Sequence, residues 1–430
     1  MTKKVILSSV LLFFLSIGSV KAQNDEGQSG TVYSLYGSGM PLLNNTAQEK
    51  GMGILGVSFT DNQSVGLTNP AQWGSGIYTK IAANFDFTNY SIKDSLSSGN
   101  NSLLKIGSFQ AIFPILKNKL GMSVALYPET RSSYNVNSVR TFNVGGRTNE
   151  FLSNRTGTGG VTKFEVGFGL RLTNNISLGY APSYAFLTES ENETIVFADN
   201  TIASNNVNTR INGTAVSHRF GLSIGKTNFL KADDYIRIGG AITLPTNFDS
   251  KRKSETIKQV GLQSVVVEVG NTGTANVGLP LKMSGGVSYF FNSKFNASTE
   301  FQLEKWDEAE YGFSASEENA FTNRYIYGAG FQYHPYRSRS TKFFSKFKYS
   351  AGISYDSGHL EINNNKIETL WFSAGLGLVS PDLRTNSSFD LSFQYGLRGT
   401  ISNSLVKENI FAINLSVNLT ELMFLRRKLN

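Results

Sequence analysis

From Tyr78 to the end of the chain, apolar and polar residues alternate with a period close to two. Ile81, Ala83, Phe85 and Phe87 fall on one face; Asn84, Asp86 and Thr88 fall on the other. Phe164, Val166, Phe168, Leu170 and Leu172 oppose Lys163, Glu165, Gly167, Gly169 and Arg171. Leu281, Met283, Gly285, Val287, Tyr289 and Phe291 oppose Lys282, Ser284, Gly286 and Ser288. Phe389, Leu391, Phe393, Tyr395 and Leu397 oppose Asp390, Ser392, Gln394, Gly396 and Arg398, and Phe411, Ile413, Leu415, Val417 and Leu419 repeat the pattern. Such a period predicts strands. Several keep it for about nine residues or more, the length of a tilted strand that crosses a bilayer, where a soluble sheet averages about five or six.

About fourteen such segments are predicted: near 78–90, 102–115, 119–134, 161–173, 175–188, 214–226, 234–246, 279–292, 294–306, 323–335, 343–356, 366–379, 387–398 and 408–421. An even number puts both ends of a barrel on one side. Alternate connections are short (LKNK, TNN, FNSK), whereas three of the others, 135–160, 189–213 and 247–278, read as long loops. That asymmetry is the mark of an outer-membrane barrel, with long loops outside and short periplasmic turns. A closed barrel also pairs every backbone N–H and C=O where lipid offers no partner. The inward face carries mixed charge: Glu165, Arg171, Arg237, Lys282, Glu300, Glu304, Lys346, Lys348, Asp390 and Arg398. Such a set suits a solvated lumen with paired ions. Aromatics at strand ends, Tyr289-Phe290-Phe291 and Trp306, suit an interfacial girdle.

Before the strands the pattern changes. Residues 32–76 hold short apolar patches and eight Gly, with no sustained period. They predict an irregular folded plug rather than a helix or sheet. Earlier still, Lys3 and Lys4 precede the apolar run Val5 to Val20, and Val20-Lys21-Ala22 offers a cleavage site before Gln23. The expected organisation is therefore a signal peptide at 1–22, an N-terminal hatch at 23–76 and a transmembrane β-barrel at 77–430.

Composition changes this picture little. Loss of Lys3, Lys4 and Lys21 lowers the formal charge from +8 to +5, a bias too mild to argue for nucleic acid. Cysteine is absent, which excludes a lipoprotein anchor, a disulfide framework and a thiolate metal site. Slightly negative mean hydropathy with many Phe and Tyr fits strands whose two faces average out.

Three stretches carry a family resemblance. The first is the Gly-rich GMGILGVSFTDN followed by Asn69-Pro70-Ala71 and the first strand. The second is AIFPILKNKLGMSVALYPETRSSY, with Pro114 before a short turn. The third is GLPLKMSGGVSYFFNSKFNASTEFQLEKW, with Leu279-Pro280 before a strand and Trp306 after the next. In this order they resemble the outer-membrane transporters of long-chain fatty acids and aromatic hydrocarbons typified by FadL and TodX. The resemblance implies a barrel localised to the outer membrane, a lumenal hatch that gates a hydrophobic small-molecule ligand, and a sideways exit through the wall. It assigns Asn69, Pro70 and Ala71 to the hatch. Tyr127-Pro128, in the third strand, is the candidate wall defect, because Pro donates nothing to a ladder. Contact with outer-membrane lipid is implied, and no cofactor.

Catalytic and metal chemistry is poorly represented. His218 and Ser217 are neighbours on a strand and face opposite ways. His334 is read near a periplasmic turn and His359 in an outer loop, and no two of the three His stand at metal-ligand spacing. No phosphate-binding Gly motif occurs, so neither a catalytic nor a metal site is expected. The basic end Leu425-Arg426-Arg427-Lys428 suits a periplasmic headgroup interface. Two functions compete: passive uptake of hydrophobic compounds, and a docking, shuttle or plugging role in type IX protein secretion, which some barrels resembling this family serve.

Overall fold

The computed structural model describes residues 29–61, 63, 65–144, 147–197, 204–260, 263–268, 270, 272–335, 343–380 and 387–422. The expected signal peptide and the basic end at 425–428 lie outside the described residues.

Fourteen antiparallel strands close into a barrel. They are β1 (Thr79–Lys93), β2 (Ser98–Leu116), β3 (Leu120–Pro128, resuming as Thr130–Val144), β4 (Arg147–Arg171), β5 (Ile176–Phe197) and β6 (Asn205–Thr227). β7 runs over Tyr235–Thr243 and Thr246–Val260; β8 runs over Gln263–Glu268, Gly273–Leu279 and Lys282–Phe290. β9 (Phe295–Glu304), β10 (Arg324–Tyr333), β11 (Phe347–Asp356), β12 (Thr369–Val379), β13 (Ser388–Arg398) and β14 (Lys407–Glu421) complete the wall. β14 returns to β1, from Thr79↔Glu421 to Lys93↔Lys407, which closes the ring.

The alternation sorts as the sequence predicts. Phe164, Phe168 and Leu170 on β4, Leu178, Tyr180 and Phe186 on β5, and Phe220, Leu222 and Ile224 on β6 stand 37–45% exposed on the outside. Their neighbours Lys163, Glu165, Ser177, Ser183, Ser217 and Ser223 are buried. Polar inside and apolar outside inverts the order of a water-soluble protein and belongs to a wall bathed in lipid. No helix among the described residues is long and apolar enough to cross a membrane.

Three expectations are corrected. The stretches 135–160, 189–213 and 247–278 are largely strand, because β3 to β8 continue beyond the apolar belt as one paired sheet. Each face of that extension mixes polar residues with apolar ones such as Val139, Leu152 and Val196, so no sustained period of two marked it. Trp306 is not in a girdle. It is buried, donates Nε1 to Glu304 Oε2 at 2.7 Å and packs on Phe321 and His359. The leader is also more regular than its composition suggests. A short helix, α1 (Ala47–Gly51), is closed by a capping box between Thr46 and Glu49, and 3-10 turns span Val32–Leu35 and Pro70–Ser75.

Candidate functional site

The leader packs against the polar inner face of the wall, and charged wall residues hold it there. Glu300 of β9 receives five donors from one leader turn. Its Oε2 accepts from the N–H of Leu55 (2.7 Å) and Val57 (3.2 Å). Its Oε1 accepts from the N–H of Ser58 (2.8 Å) and Phe59 (3.3 Å) and from Ser58 Oγ (2.6 Å). A nest of backbone N–H groups is an anion site, and here the anion belongs to the wall. Ser58 Oγ also lies 2.8 Å from Ser288 Oγ of β8. Lys348 of β11 pairs with Asp61 at 3.1 Å, Lys50 pairs with Asp86 of β1 at 2.6 Å, and the Ala47 N–H donates to Ser416 Oγ of β14 at 2.6 Å.

Two leader carboxyls are tuned in opposite directions. Burial, reinforced by the charge of Glu300, pushes Glu49 up to about 8 although the Thr46 N–H donates to it. Burial would raise Asp61 too, but the Lys348 ammonium and the Gln48 amide outweigh it and hold Asp61 well below the usual carboxylate range.

Asn69, Pro70 and Ala71 form one compact joint. Asn69 Oδ1 caps the following turn by accepting from the Ala71 N–H at 3.0 Å. Its Nδ2 donates to Val57 O (2.8 Å) within the leader and to Leu222 O (3.0 Å) on β6. Pro70 fits the first turn, where its missing donor costs nothing. Trp73, which pattern reading did not single out, donates Nε1 to Gly66 O at 3.0 Å and is buried against Ala82 and Ala181.

The wall is interrupted between β2 and β3. Their pairing rises from Leu116↔Leu120 to Phe109↔Leu126 and stops. Above it, Ser98–Ile106 pair only with β1, and β3 from Ser132 outward pairs only with β4, among the described strands. Glu129 breaks β3 at this point. Opposite it, β4 turns at Gly159 and Gly160, whose φ of +125° and +123° few side chains tolerate. The register shifts by one residue between Pro128↔Thr162 and Ser132↔Gly159, which is a bulge. Tyr127 turns its ring inward and donates to Glu165 at 3.0 Å, while Pro128 ends the first part of β3.

The leader stands where β2 has withdrawn. Met40 and Pro41 pair with Arg131 and Thr130. The N–H groups of Leu42 and Gly30 donate to Glu129 O and Ser133 O, both at 2.9 Å, and Asn44 Nδ2 donates to Pro128 O at 2.8 Å. Two cavities meet here. One of 160 Å³ lies in the lumen between the leader and the wall, lined by Leu42, Ile54, Ile106, Ile326 and Trp371 among charged groups. The other, of 1160 Å³, opens at the interruption. Pro128 and Arg131 line both.

The histidines are scattered. His218 faces out and meets Tyr180 Oη at 2.9 Å, while Ser217 is buried on the inner side. His359 is buried under the outer connections, and that burial pushes it down to about 3. No group of metal-ligating side chains occurs among the described residues.

A closed fourteen-stranded outer-membrane barrel of the FadL and TodX type is thus defined. It is similar to a FadL homologue of Pseudomonas aeruginosa, with a TM-score of 0.60, 10% identity and coverage of 90% of this chain and 100% of that one. It is similar to the toluene transporter TbuX of Ralstonia pickettii, at 0.59 and 14%, covering 88% and 98%. The toluene transporter TodX of Pseudomonas putida gives 0.55 and 12%, covering 90% and 100%. At these identities the likeness is one of fold. The family model described as BamG matches residues 1–430, and the chain belongs to the BamG family. No curated protein matches it in sequence.

Proposed function

We propose that this barrel conducts small hydrophobic or amphipathic molecules across the outer membrane, with residues 23–76 as the hatch and the β2–β3 interruption as a sideways exit. One observation carries the reading: the lumenal cavity and the opening in the wall meet at Pro128 and Arg131. Asn69, Pro70 and Ala71 act as the joint about which the hatch is held, and Pro128 marks the defect. The lumenal cavity, 160 Å³, has room for a monoaromatic ring, which would lie against Leu42, Ile54 and Trp371. Two of the solved structures with this fold are described as toluene transporters, which supports a small aromatic ligand.

The test uses the native lack of cysteine. In Ser58→Cys/Ser288→Cys the two sulfurs replace hydroxyls 2.8 Å apart and tie the leader to the wall. Uptake of radiolabelled toluene by cells carrying this variant is expected to stop on oxidation and return with dithiothreitol. Equal uptake in both states would remove the gating role. Toluene uptake no greater than that of barrel-deleted cells would remove transport itself.

A second reading keeps the barrel as a docking or plugging subunit of protein secretion. It is favoured by the paired sheet that β3 to β8 raise beyond the apolar belt. Recovery of secreted cargo or translocon subunits on the tagged barrel would support it, and recovery unchanged after removal of that sheet would oppose it.

A further inference from the structure

The outer side of the wall interruption has a chemistry of its own. Two cross-strand rows build its back. Asn135, Thr156 and Asn192 stand side by side on β3, β4 and β5, and Asn137, Asn154 and Thr194 form the next row outward. Asn154 Nδ2 ties the rows by donating to Asn135 Oδ1 (2.9 Å) and Asn137 Oδ1 (2.6 Å). Thr158, Thr162 and Thr188 continue the lining inward. Asn192 Oδ1 is buried and has no hydrogen-bond partner. Of the described side chains around the 1160 Å³ notch only Arg131 is charged. At the membrane side the lining changes to Leu104 and Phe186, both exposed and level with the apolar belt. Beyond the amide rows, Val139, Leu152 and Val196 form an exposed apolar row.

We propose that this notch holds the hydroxyl-rich headgroup of a glycosylated amphiphile of the outer leaflet, with its acyl chain along Leu104 and Phe186. Amide and hydroxyl side chains both donate and accept, as sugar hydroxyls do. A neutral lining takes such a headgroup without stranding a charge. A phosphate-rich headgroup would call for clustered cations, and one Arg is no cluster. Addition of a foreign strand is less well supported, because Gly30, Met40 and Pro41 already take the edge of β3 at 130–133. The notch is the outer side of the opening that the transport reading uses as its exit, but its lining faces away from the lumen, and lipid retention is read without any transport step.

Native mass spectrometry of the full chain, released from a polyoxyethylene detergent, tests this. The probes are digalactosyl diacylglycerol, phosphatidylcholine and phosphatidylglycerol with identical acyl chains. One digalactosyl lipid is expected to be retained about tenfold more tightly than either phospholipid, a tenfold step being the scale of one or two lost hydrogen bonds. Thr156→Val/Thr158→Val/Thr188→Val keeps β-branched side chains in the strands and is expected to abolish that preference while migrating as a heat-modifiable barrel. If that variant does not fold, the comparison of lipids on the unaltered chain decides alone. The oxidised Ser58→Cys/Ser288→Cys barrel must retain the sugar lipid like the parent. Equal retention of all three lipids, a preference for phosphatidylglycerol, or unchanged retention by a folded triple-Val variant would each overturn the proposal.

Discussion

Glu300 was legible in the sequence as one inward charge among ten, and nothing marked it as special. Its five donors come from residues more than two hundred positions earlier, so only the fold reveals the latch. Glu300→Gln keeps the shape but removes the charge that strengthens those bonds. The cost to leader docking is expected to be about 2 kcal/mol, with the barrel itself intact. Faster amide exchange confined to residues 53–60 would check this. Glu49 predicts a pH effect. Its folded carboxyl titrates at about 8, above the ordinary 4.5, so the folded form keeps a proton that the released form gives up. Docking is then strongest below 4.5 and weakens as pH rises through 8. Proteolytic release of the leader should increase over that window, and Glu49→Gln should flatten the profile. The Thr46-x-x-Glu49 spacing is itself a visible helix-start signal that composition had masked behind the glycines.

At the scale of elements, the leader fits because the wall makes room for it. A Cβ added at Gly330 of β10 or at Gly352 of β11 would stand 1.9 Å from Met52 O. Gly352→Val is therefore expected to expel α1 and its flanks while the ladder from β10 to β12 persists. The readout is a barrel that still shifts on heating in a gel but whose leader is cut at low protease concentration. Strand interiors were legible element by element, since each pairs an apolar and a polar face. Pro128 was a candidate wall defect on local grounds alone; the withdrawal of β2 above Phe109 and the use of Met40–Pro41 as a substitute edge are contacts between distant segments. No local pattern encodes them.

For the whole molecule the inversion of inside and outside is the organising fact. Phe393 of β13 faces outward between Ala374 of β12 and Ile413 of β14. Phe393→Arg should cost about 2–4 kcal/mol if it lies at the bilayer midplane and less nearer an interface, measured by folding into lipid vesicles. The inward neighbours Ser392 and Gln394 belong to the polar lumen and carry no such penalty. The same inversion explains why mean hydropathy is uninformative here, since a wall one residue thick averages its two faces.

By itself the sequence determined the strand count, the two faces of each strand and the barrel class. These follow from a period of two, from strand length and from turn residues, which are local properties of a chain that must satisfy its backbone in lipid. Only the tertiary structure decided what the leader touches, where the wall opens and how far the sheet rises above the membrane. Those depend on register and on pairs far apart in the chain. On the outer extension each face mixes polar and apolar residues, so the sustained alternation that reports a strand is absent although the strand is there.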